Sequence, residues 1–389
     1  MRLRIDLSDY LQLKTLLLAA MLILMVTSVA LQFVALQAAF ILYCFGLFVL
    51  YNKEIDYLGT DDKNYLALAL VATALILPIN VFRTPTSALH FSMVLATLAG
   101  ALVAAKSPRA YAAASLLALL LSQGAVLWFL RKAGLDNFPL EDMIEGTSSN
   151  GITSYIVCLQ INYCVANLHA RGRAAPLTSA ITFFICVVGY GRGSILAGTA
   201  IMLISLLFAF RPLPRIYAIA ATAVLALGSA FLIAENYQII YNFATNNTKL
   251  GTGLYDEPRA AMIEEYWNRL SGLNILFGAS FDNTLIDRFF NGNPHNSYIR
   301  GHHFLGLFYI LLMGLMALRP LFARISLTEK AFHMAMLATL LLRASTEPIL
   351  FPTPFDVMYF SMFLLFGRPS RAPLAKKRAA LPSPKRSYA

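Results

Sequence analysis

Long apolar segments separated by short polar ones are the feature that most constrains this chain. A helix that crosses a bilayer needs about 20 mostly apolar residues, within a usual range of roughly 17–25. Segments of or near this length occur at 15–32, 34–51, 65–82, 86–105, 110–130, 151–168, 176–190, 194–210, 215–234, 302–318, 331–344 and 354–367. The pattern predicts an all-α integral membrane protein with about twelve transmembrane helices, the first two joined by a tight turn near Leu31 to Leu36.

Composition agrees with this class and excludes others. Of the 389 residues, 58% are hydrophobic and 13% are charged, and the mean hydropathy is +0.64. Soluble domains have roughly 45–50% apolar and about 25% charged residues, and disordered chains have less apolar surface still. The four cysteines lie in apolar stretches without a zinc-binding spacing, so we expect buried thiols rather than disulfides or a metal site.

The distribution of charge predicts the orientation of the chain. With twelve spans and both termini in the cytoplasm, 21 of the 31 lysines and arginines lie on the inner side, and 13 of the 20 acids lie on the outer side. This predicts a membrane domain at 1–367 with a large outer loop at 235–301, and a basic cytoplasmic tail at 368–389. We expect the tail to contact anionic lipid rather than nucleic acid. We also expect the first apolar segment to be an uncleaved span rather than a signal peptide.

The outer loop contains an amphipathic helix. Acids and a proline at Asp256-Glu257-Pro258 are typical of a helix start, and Gly272 is a plausible end. Helical spacing then places apolar side chains on one stripe, made of Met262, Ile263, Tyr266, Trp267 and Leu270. We expect this helix to lie on the membrane surface or on the helix bundle, with Trp267 as an interfacial anchor.

Two arginines on the outer side are candidates for binding an anion. Arg192 stands between glycines in Gly191-Arg192-Gly193-Ser194 at a span boundary, where open backbone would let an anionic group approach. Arg259 lies in the first turn of the loop helix, where a cation opposes the helix dipole unless an anion compensates it. Alternatively, the Arg192 side chain extends from the span boundary into water. The alternative for Arg259 is a salt bridge to Glu257 or another acid.

A histidine-containing segment, Pro294-His295-Asn296-Ser297-Tyr298, supplies a candidate base. A histidine can accept a proton from a hydroxyl group near neutral pH, and Asn296 and Tyr298 could hold the ring or the substrate. A metal site with His302 and His303 is an alternative, but no acid stands at ligand spacing in the segment. We expect His302 and His303 to form an interfacial pair at a helix start.

Three further charged residues lie near these segments. Arg343 and Glu347 are four residues apart at the outer end of a span, so pairing with each other is the simpler interpretation. Arg300 follows the histidine segment and is a candidate either for anion binding or for anchoring the helix.

Together these motifs resemble the O-antigen ligase and polymerase family of bacterial envelope glycan enzymes. The resemblance rests on Gly191-Arg192-Gly193-Ser194, on Glu257-Pro258-Arg259 with Trp267, and on Pro294-His295-Asn296-Ser297-Tyr298-Ile299 with Gly306. One departure is Phe277-Gly278-Ala279-Ser280, where the family often has Gly-x-Gly after the loop helix.

The resemblance implies a GT-C-like glycosyltransferase of the bacterial inner membrane with a periplasmic active site and no metal or other cofactor. The donor would be a glycan on a polyprenyl diphosphate, with Arg192 and Arg259 on the diphosphate and His295 as general base on the acceptor hydroxyl. Supporting candidates are Asn296, Tyr298, Arg300 and Arg343. The reaction would be an inverting transfer from lipid-linked repeat units, and a chain-length regulator is a further candidate partner.

Three functions stay open at this point. A polymerase would join repeat units, whereas a ligase would transfer the finished glycan to lipid A-core, and acceptor choice depends on loop shape. We favour the polymerase slightly. A polysaccharide or lipid transporter without chemistry would place charges along a path through the spans. The predicted spans carry few charges, which disfavours transport.

Overall fold

The computed structural model describes residues 11–51, 60–134, 139–211, 214, 216–217, 227, 234–242, 245, 256–323 and 325–366. In chain order the first helices are α1 (Leu13–Ala30), α2 (Val34–Tyr51), α3 (Thr60–Arg83), α4 (Ser87–Lys106), α5 (Pro108–Ala133), α6 (Ser149–Arg171), α7 (Pro176–Val188) and α8 (Arg192–Ala209). The later helices are α9 (Tyr237–Asn242), α10 (Glu257–Asn268), α11 (Asn274–Phe277), α12 (Leu285–Phe290), α13 (Ser297–Ala317), α14 (Arg319–Phe322), α15 (Leu327–Ala344) and α16 (Asp356–Phe366).

The described residues form helices and no strand, which confirms the all-α class. A helix occupies every predicted span except 215–234, which lies almost entirely outside the described residues, as does the tail after residue 366. Among the described helices, α1, α2, α4, α5, α8 and α13 are long and apolar enough to cross a membrane. The chain is therefore a multi-pass, membrane-type helical protein, and the count of twelve spans stays a prediction.

Helix α6 lies at the centre of the bundle. It packs against α5, α8, α15 and α16, and nearly all of its side chains are buried. Helix α16 is buried along its whole length and packs closely on α4. The four cysteines are buried and free, as the sequence predicts.

Polar side chains inside the bundle satisfy one another across neighbouring helices. Tyr111 of α5 donates to Asn162 of α6 at 2.8 Å, and Asn162 donates to Ser115 at 2.9 Å. On the other side of α6, Gln160 donates to Ser179 of α7 at 3.0 Å. Hydrogen bonds of this kind hold apolar helices together where water is absent. The sequence pattern marks these helices only as apolar and does not predict which polar residues pair.

Helix α13 is interrupted at Gly306. This residue has φ 78° and ψ −179°, so two helical segments meet there. A Cβ at this position would lie 2.5 Å from the carbonyl oxygen of Leu276, and so only glycine allows α11 to approach. Asn80 of α3 donates to the Phe304 carbonyl at 2.9 Å, which satisfies a backbone group near the break.

Candidate functional site

Segments predicted to lie on the outer side meet at one end of the bundle. Thr147 donates to the carbonyl of Ala30 at 2.7 Å, which joins the segment before α6 to the end of α1. Asn296 donates to the carbonyl of Ser345 at 3.0 Å, which joins the start of α13 to the end of α15. The candidate residues from distant parts of the sequence are thereby brought together.

Glu347 is the residue that several candidate side chains share. Its Oε1 accepts from Arg259 Nη2 at 3.2 Å and lies 3.7 Å from Arg343 Nη2. Its Oε2 lies 3.7 Å from Nδ1 of His295. The Glu347 side chain is only 6% exposed, so its charge must be compensated by these neighbours.

The surroundings of Glu347 favour the ionised carboxylate. Burial by itself would raise the pKa of this carboxyl group. The interaction with the His295 ring and the positive charges of Arg343 and Arg259 outweigh burial, and they hold the pKa below its ordinary value of 4.5. Glu347 is therefore an anion at neutral pH, and it can stabilise positive charge on the imidazole.

Asp256 is a second shared carboxylate. It caps the start of α10 by accepting from the backbone N–H of Arg259, and its Oδ2 accepts from Arg192 Nη2 at 3.0 Å. The same oxygen lies 3.7 Å from Arg259 Nε. These contacts explain how an arginine is tolerated in the first turn of α10, because Asp256 and Glu347 compensate it. The partner of Arg259 is thus not Glu257, which the sequence offers as the nearest choice.

Arg343 is the most deeply buried cation of the site, with a side chain 2% exposed. Its Nη2 donates to Ser154 at 2.6 Å and to Ser194 at 3.1 Å, and Nη1 donates to Thr346 at 2.9 Å. Arg343 therefore ties α15 to α6 and α8. Its pairing with Glu347 agrees with the four-residue spacing.

The glycines beside Arg192 serve close packing rather than an open approach to that arginine. A Cβ on Gly193 would lie 2.6 Å from Nη1 of Arg343, and one on Gly191 would overlap the side-chain oxygen of Asn150. The space that the motif creates is filled by these two side chains. The two glycines therefore do not leave open space beside Arg192 for an anion.

His295 lies just before α13 in a left-handed backbone conformation, with φ 46°. Its backbone N–H donates to Asn293 at 2.9 Å, and the ring meets Phe290 edge to face. Non-glycine residues rarely adopt this conformation, and its occurrence at a candidate base is consistent with a functional constraint. Since α13 begins at Ser297, His295 is not on one helical face with the two later histidines.

Asn296 and Tyr298 position the start of α13. The Asn296 side chain caps the helix by accepting from the backbone N–H groups of Tyr298 and Ile299. The Tyr298 hydroxyl donates to the Leu341 carbonyl at 3.0 Å, away from His295 and toward α15. Both residues hold the segment that carries the histidine, and neither side chain forms a hydrogen bond with its ring.

His302 and His303 are buried and form hydrogen bonds with the outer loop, so they are not an interfacial pair. His302 Nε2 donates to the carbonyl of Ile275 at 2.8 Å, and its Nδ1 accepts from the hydroxyl of Tyr266 at 2.9 Å. His303 Nδ1 donates to the carbonyl of Ala279 at 2.7 Å. The carbonyl acceptors fix which nitrogen carries the proton. Burial raises the pKa of the Tyr266 phenol, which therefore stays a hydrogen-bond donor.

Gly278 lies where the loop after α10 approaches α13. It has φ 84°, and a Cβ there would overlap the backbone of His302. Its carbonyl accepts from Arg83 at 2.8 Å. The loop therefore keeps its close approach to α13 with a single glycine.

A cavity of about 420 Å³ opens beside this network. Its wall includes His295, Glu347 and Arg300, together with residues from α1, α4, α6 and the segment before α16. Arg192, Arg259 and Arg343 are not among the lining residues. The structure thus places the candidate base on the cavity wall and three of the arginines behind it.

Sequence reasoning did not single out Asp256 as a site residue, and it offered Glu347 as a candidate only on proximity of charge. Asp256 is recognisable only as a helix start, and Glu347 only as a neighbour of Arg343 in sequence. A signal existed, because Arg192 and Arg259 are costly at a membrane boundary without anions. Among the described residues, His, Cys, Asp and Glu do not gather in groups of three that could hold a metal ion.

Comparisons with protein-family models, with curated proteins and with solved structures found no match.

Proposed function

We propose that this protein is a glycosyltransferase that joins polyprenyl-diphosphate-linked oligosaccharide units on the periplasmic face of the bacterial inner membrane. The observation that carries the proposal is the His295–Glu347 pair on the wall of the cavity, with Nδ1 and Oε2 separated by 3.7 Å. A carboxylate behind an imidazole is the arrangement that general-base catalysis uses to orient the ring.

In the proposed reaction His295 accepts the proton of an acceptor sugar hydroxyl. The resulting oxygen nucleophile attacks the anomeric carbon of the donor, and the bond from that carbon to the lipid diphosphate breaks. The configuration inverts, and the diphosphate leaves with the bonding electrons. Glu347 stabilises the imidazolium that forms, because it is ionised and close to Nδ1.

Positive charge near the cavity suits an anionic leaving group. Among the described residues, the network sets Arg192, Arg259 and Arg343 against the two carboxylates of Asp256 and Glu347, so the cations outnumber the acids. Fixed cations stabilise charge that develops in a transition state, and guanidinium groups match phosphate oxygens well. In the proposal, Arg192 and Arg259 maintain this positive potential from behind the cavity wall.

The decisive experiment supplies purified protein in nanodiscs with one lipid-diphosphate-linked repeat unit from the host. A ladder of longer lipid-linked chains on a gel is the expected result for a polymerase. Transfer that starts only when lipid A-core is added would instead identify a ligase.

His295→Ala should abolish the ladder while the protein elutes and melts as the wild type does. Arg288→Ala is the matched control, because this arginine is exposed in the same loop. If the His295→Ala protein still makes product at the wild-type rate, the proposed base is wrong. Absence of product with either acceptor would favour the transporter.

A further inference from the structure

Arg300 differs from the other arginines near the cavity. It is the fourth residue of α13 and lines the cavity, and its Nε is buried without a hydrogen-bond partner among the described residues. The guanidinium lies 5.6 Å from the ring centre of Phe304, a contact that leaves its hydrogen-bond donors unused. A buried guanidinium nitrogen with an unused donor is costly unless a ligand supplies an acceptor.

The acid that acts electrostatically on Arg300 is Asp356, at the start of α16. The oxygens of Asp356 are already occupied, because they accept from the backbone N–H groups of Phe351 and Thr353 and from the hydroxyl of Tyr309. Asp356 and Arg300 form no direct ion pair. Asp356 therefore balances charge at a distance but leaves the donors of Arg300 free for an incoming group.

Arg192, Arg259 and Arg343 are in the opposite situation. Each donates to a carboxylate or lies within 4.0 Å of one, and none of them lines the cavity. An anion that enters the cavity would need to displace a carboxylate to use them. Arg300 offers its donors without such an exchange.

We infer that Arg300 is the residue that directly binds the diphosphate of the substrate in the cavity. This inference rests on the proposed function, and it assigns the anion contact to a residue different from Arg192 and Arg259. The forked guanidinium would donate to phosphate oxygens on the same wall as His295. A cavity of about 420 Å³ can hold a diphosphate and part of a sugar.

The test measures binding of two probes to the full-length protein in nanodiscs by titration calorimetry. Inorganic diphosphate reports the shared head group, and farnesyl diphosphate reports a lipid-linked source. Arg300→Ala should raise the Kd for both probes by about 10-fold or more, since a charge-assisted contact is lost. A probe that binds only when it carries the prenyl chain would identify the lipid-linked form as the ligand.

Arg300→Lys keeps the charge without the fork and should give an intermediate Kd. Arg288→Ala, at an exposed arginine, should leave both Kd values unchanged. If Arg300→Ala does not fold, labelling of the wild type with phenylglyoxal provides the answer. Diphosphate should then protect Arg300 from the reagent while Arg288 stays reactive.

A folded Arg300→Ala protein with wild-type Kd values would overturn the inference, as would equal labelling of Arg300 with and without diphosphate. The two proposals fail separately. If Arg300 binds diphosphate but no glycan product forms, the proposed function is wrong and the anion site stands. If the ladder forms and Arg300→Ala keeps the wild-type KM for donor, the assignment of Arg300 is wrong and the function stands.

Discussion

At the scale of single residues, the negative charge of Glu347 compensates the positive side chains around it and so stabilises the site. This side chain is nearly inaccessible and meets Arg259, Arg343 and His295. Removing one member of a buried charge network leaves the others without compensation, which costs about 3–5 kcal/mol. Glu347 thus contributes to stability as well as to the proposed orientation of His295.

Glu347→Gln should lower the melting temperature at pH 7 and reduce activity by about 100-fold or more. Because the folded pKa of Glu347 is below 4.5, its contribution to stability is fully present above that pH. The contribution is lost as pH falls through the folded pKa. Thermal unfolding from pH 3.5 to 7 should therefore show the wild type and the variant converging at the acid end.

Glu264→Gln provides the control for this comparison, since Glu264 is an exposed glutamate on the outer loop helix α10. It should unfold as the wild type does at every pH. A Glu347→Gln protein as stable as the wild type at pH 7 would contradict the buried network.

Gly193 shows that the space beside a glycine can be filled by a side chain from a distant part of the sequence. The Gly-Arg-Gly pattern predicts open space, but local sequence does not reveal which side chain fills that space. The occupant, Arg343, is 150 residues away in the chain. Gly193 is required because the guanidinium packs directly on its Cα.

Gly193→Ala should lower activity by about 10-fold, because the new Cβ displaces the Arg343 guanidinium from Ser154 and Ser194. The polymer assay measures this loss. Gly124→Ala is the matched control, since open space surrounds that position within α5. Equal activity of the two variants would show that the close approach of Arg343 to Gly193 is not needed for activity.

At the scale of elements, the outer loop helix was predictable in type and start. The Asp256 cap and the following proline place its beginning correctly, and Met262 and Tyr266 of the predicted stripe are buried. Trp267 is 64% exposed, which is consistent with an interfacial anchor. The helix ends at Asn268, before Gly272, and the Arg269 side chain donates to the carbonyls of Asp282 and Asn283.

Tyr266→Phe should loosen the segment from Asn274 to Phe281 without removing any apolar surface. The change deprives the backbone N–H of Ala279 and the Nδ1 of His302 of a partner, at a cost of about 1–3 kcal/mol. Limited proteolysis followed by mass spectrometry should show roughly 10-fold faster cleavage in this segment. Tyr241→Phe, at an exposed tyrosine, should leave the rate unchanged.

The break in α13 was not predictable from periodicity. Gly306 stands in an apolar run, where a glycine alone predicts only a weaker helix. The break depends on Asn80 and on the carbonyl of Leu276, which come from other elements. Contacts of this kind exist only after the bundle forms.

At the scale of the whole molecule, hydropathy and charge distribution predict most of the helices and the grouping of outer segments. The arrangement of side chains in the site follows from tertiary contacts between residues far apart in sequence. Arg192, Asp256 and Glu347 illustrate this, because each lies beside a different helix terminus. The sequence identifies the charged residues, whereas the pairing of cations with acids requires the structure.

Cysteine labelling tests the predicted topology. Ser271→Cys lies in the outer loop, and Thr328→Cys lies at the opposite end of α15, and both positions are exposed. A membrane-impermeant maleimide should label the first in right-side-out vesicles and the second only after permeabilisation. The wild type is the control, because its four cysteines are buried and should stay unlabelled. Labelling of both variants from the same side would contradict the orientation.

The long sequence separations within the charged network have a consequence for biosynthesis. Arg192 precedes Asp256 by 64 residues, and Arg259 precedes Glu347 by 88. During translation the arginines therefore reach the membrane well before the carboxylates that neutralise them. A fragment that ends before residue 347 would lack the carboxylate that lies against both Arg259 and Arg343. The charged network is therefore complete only after the last part of the chain has been made.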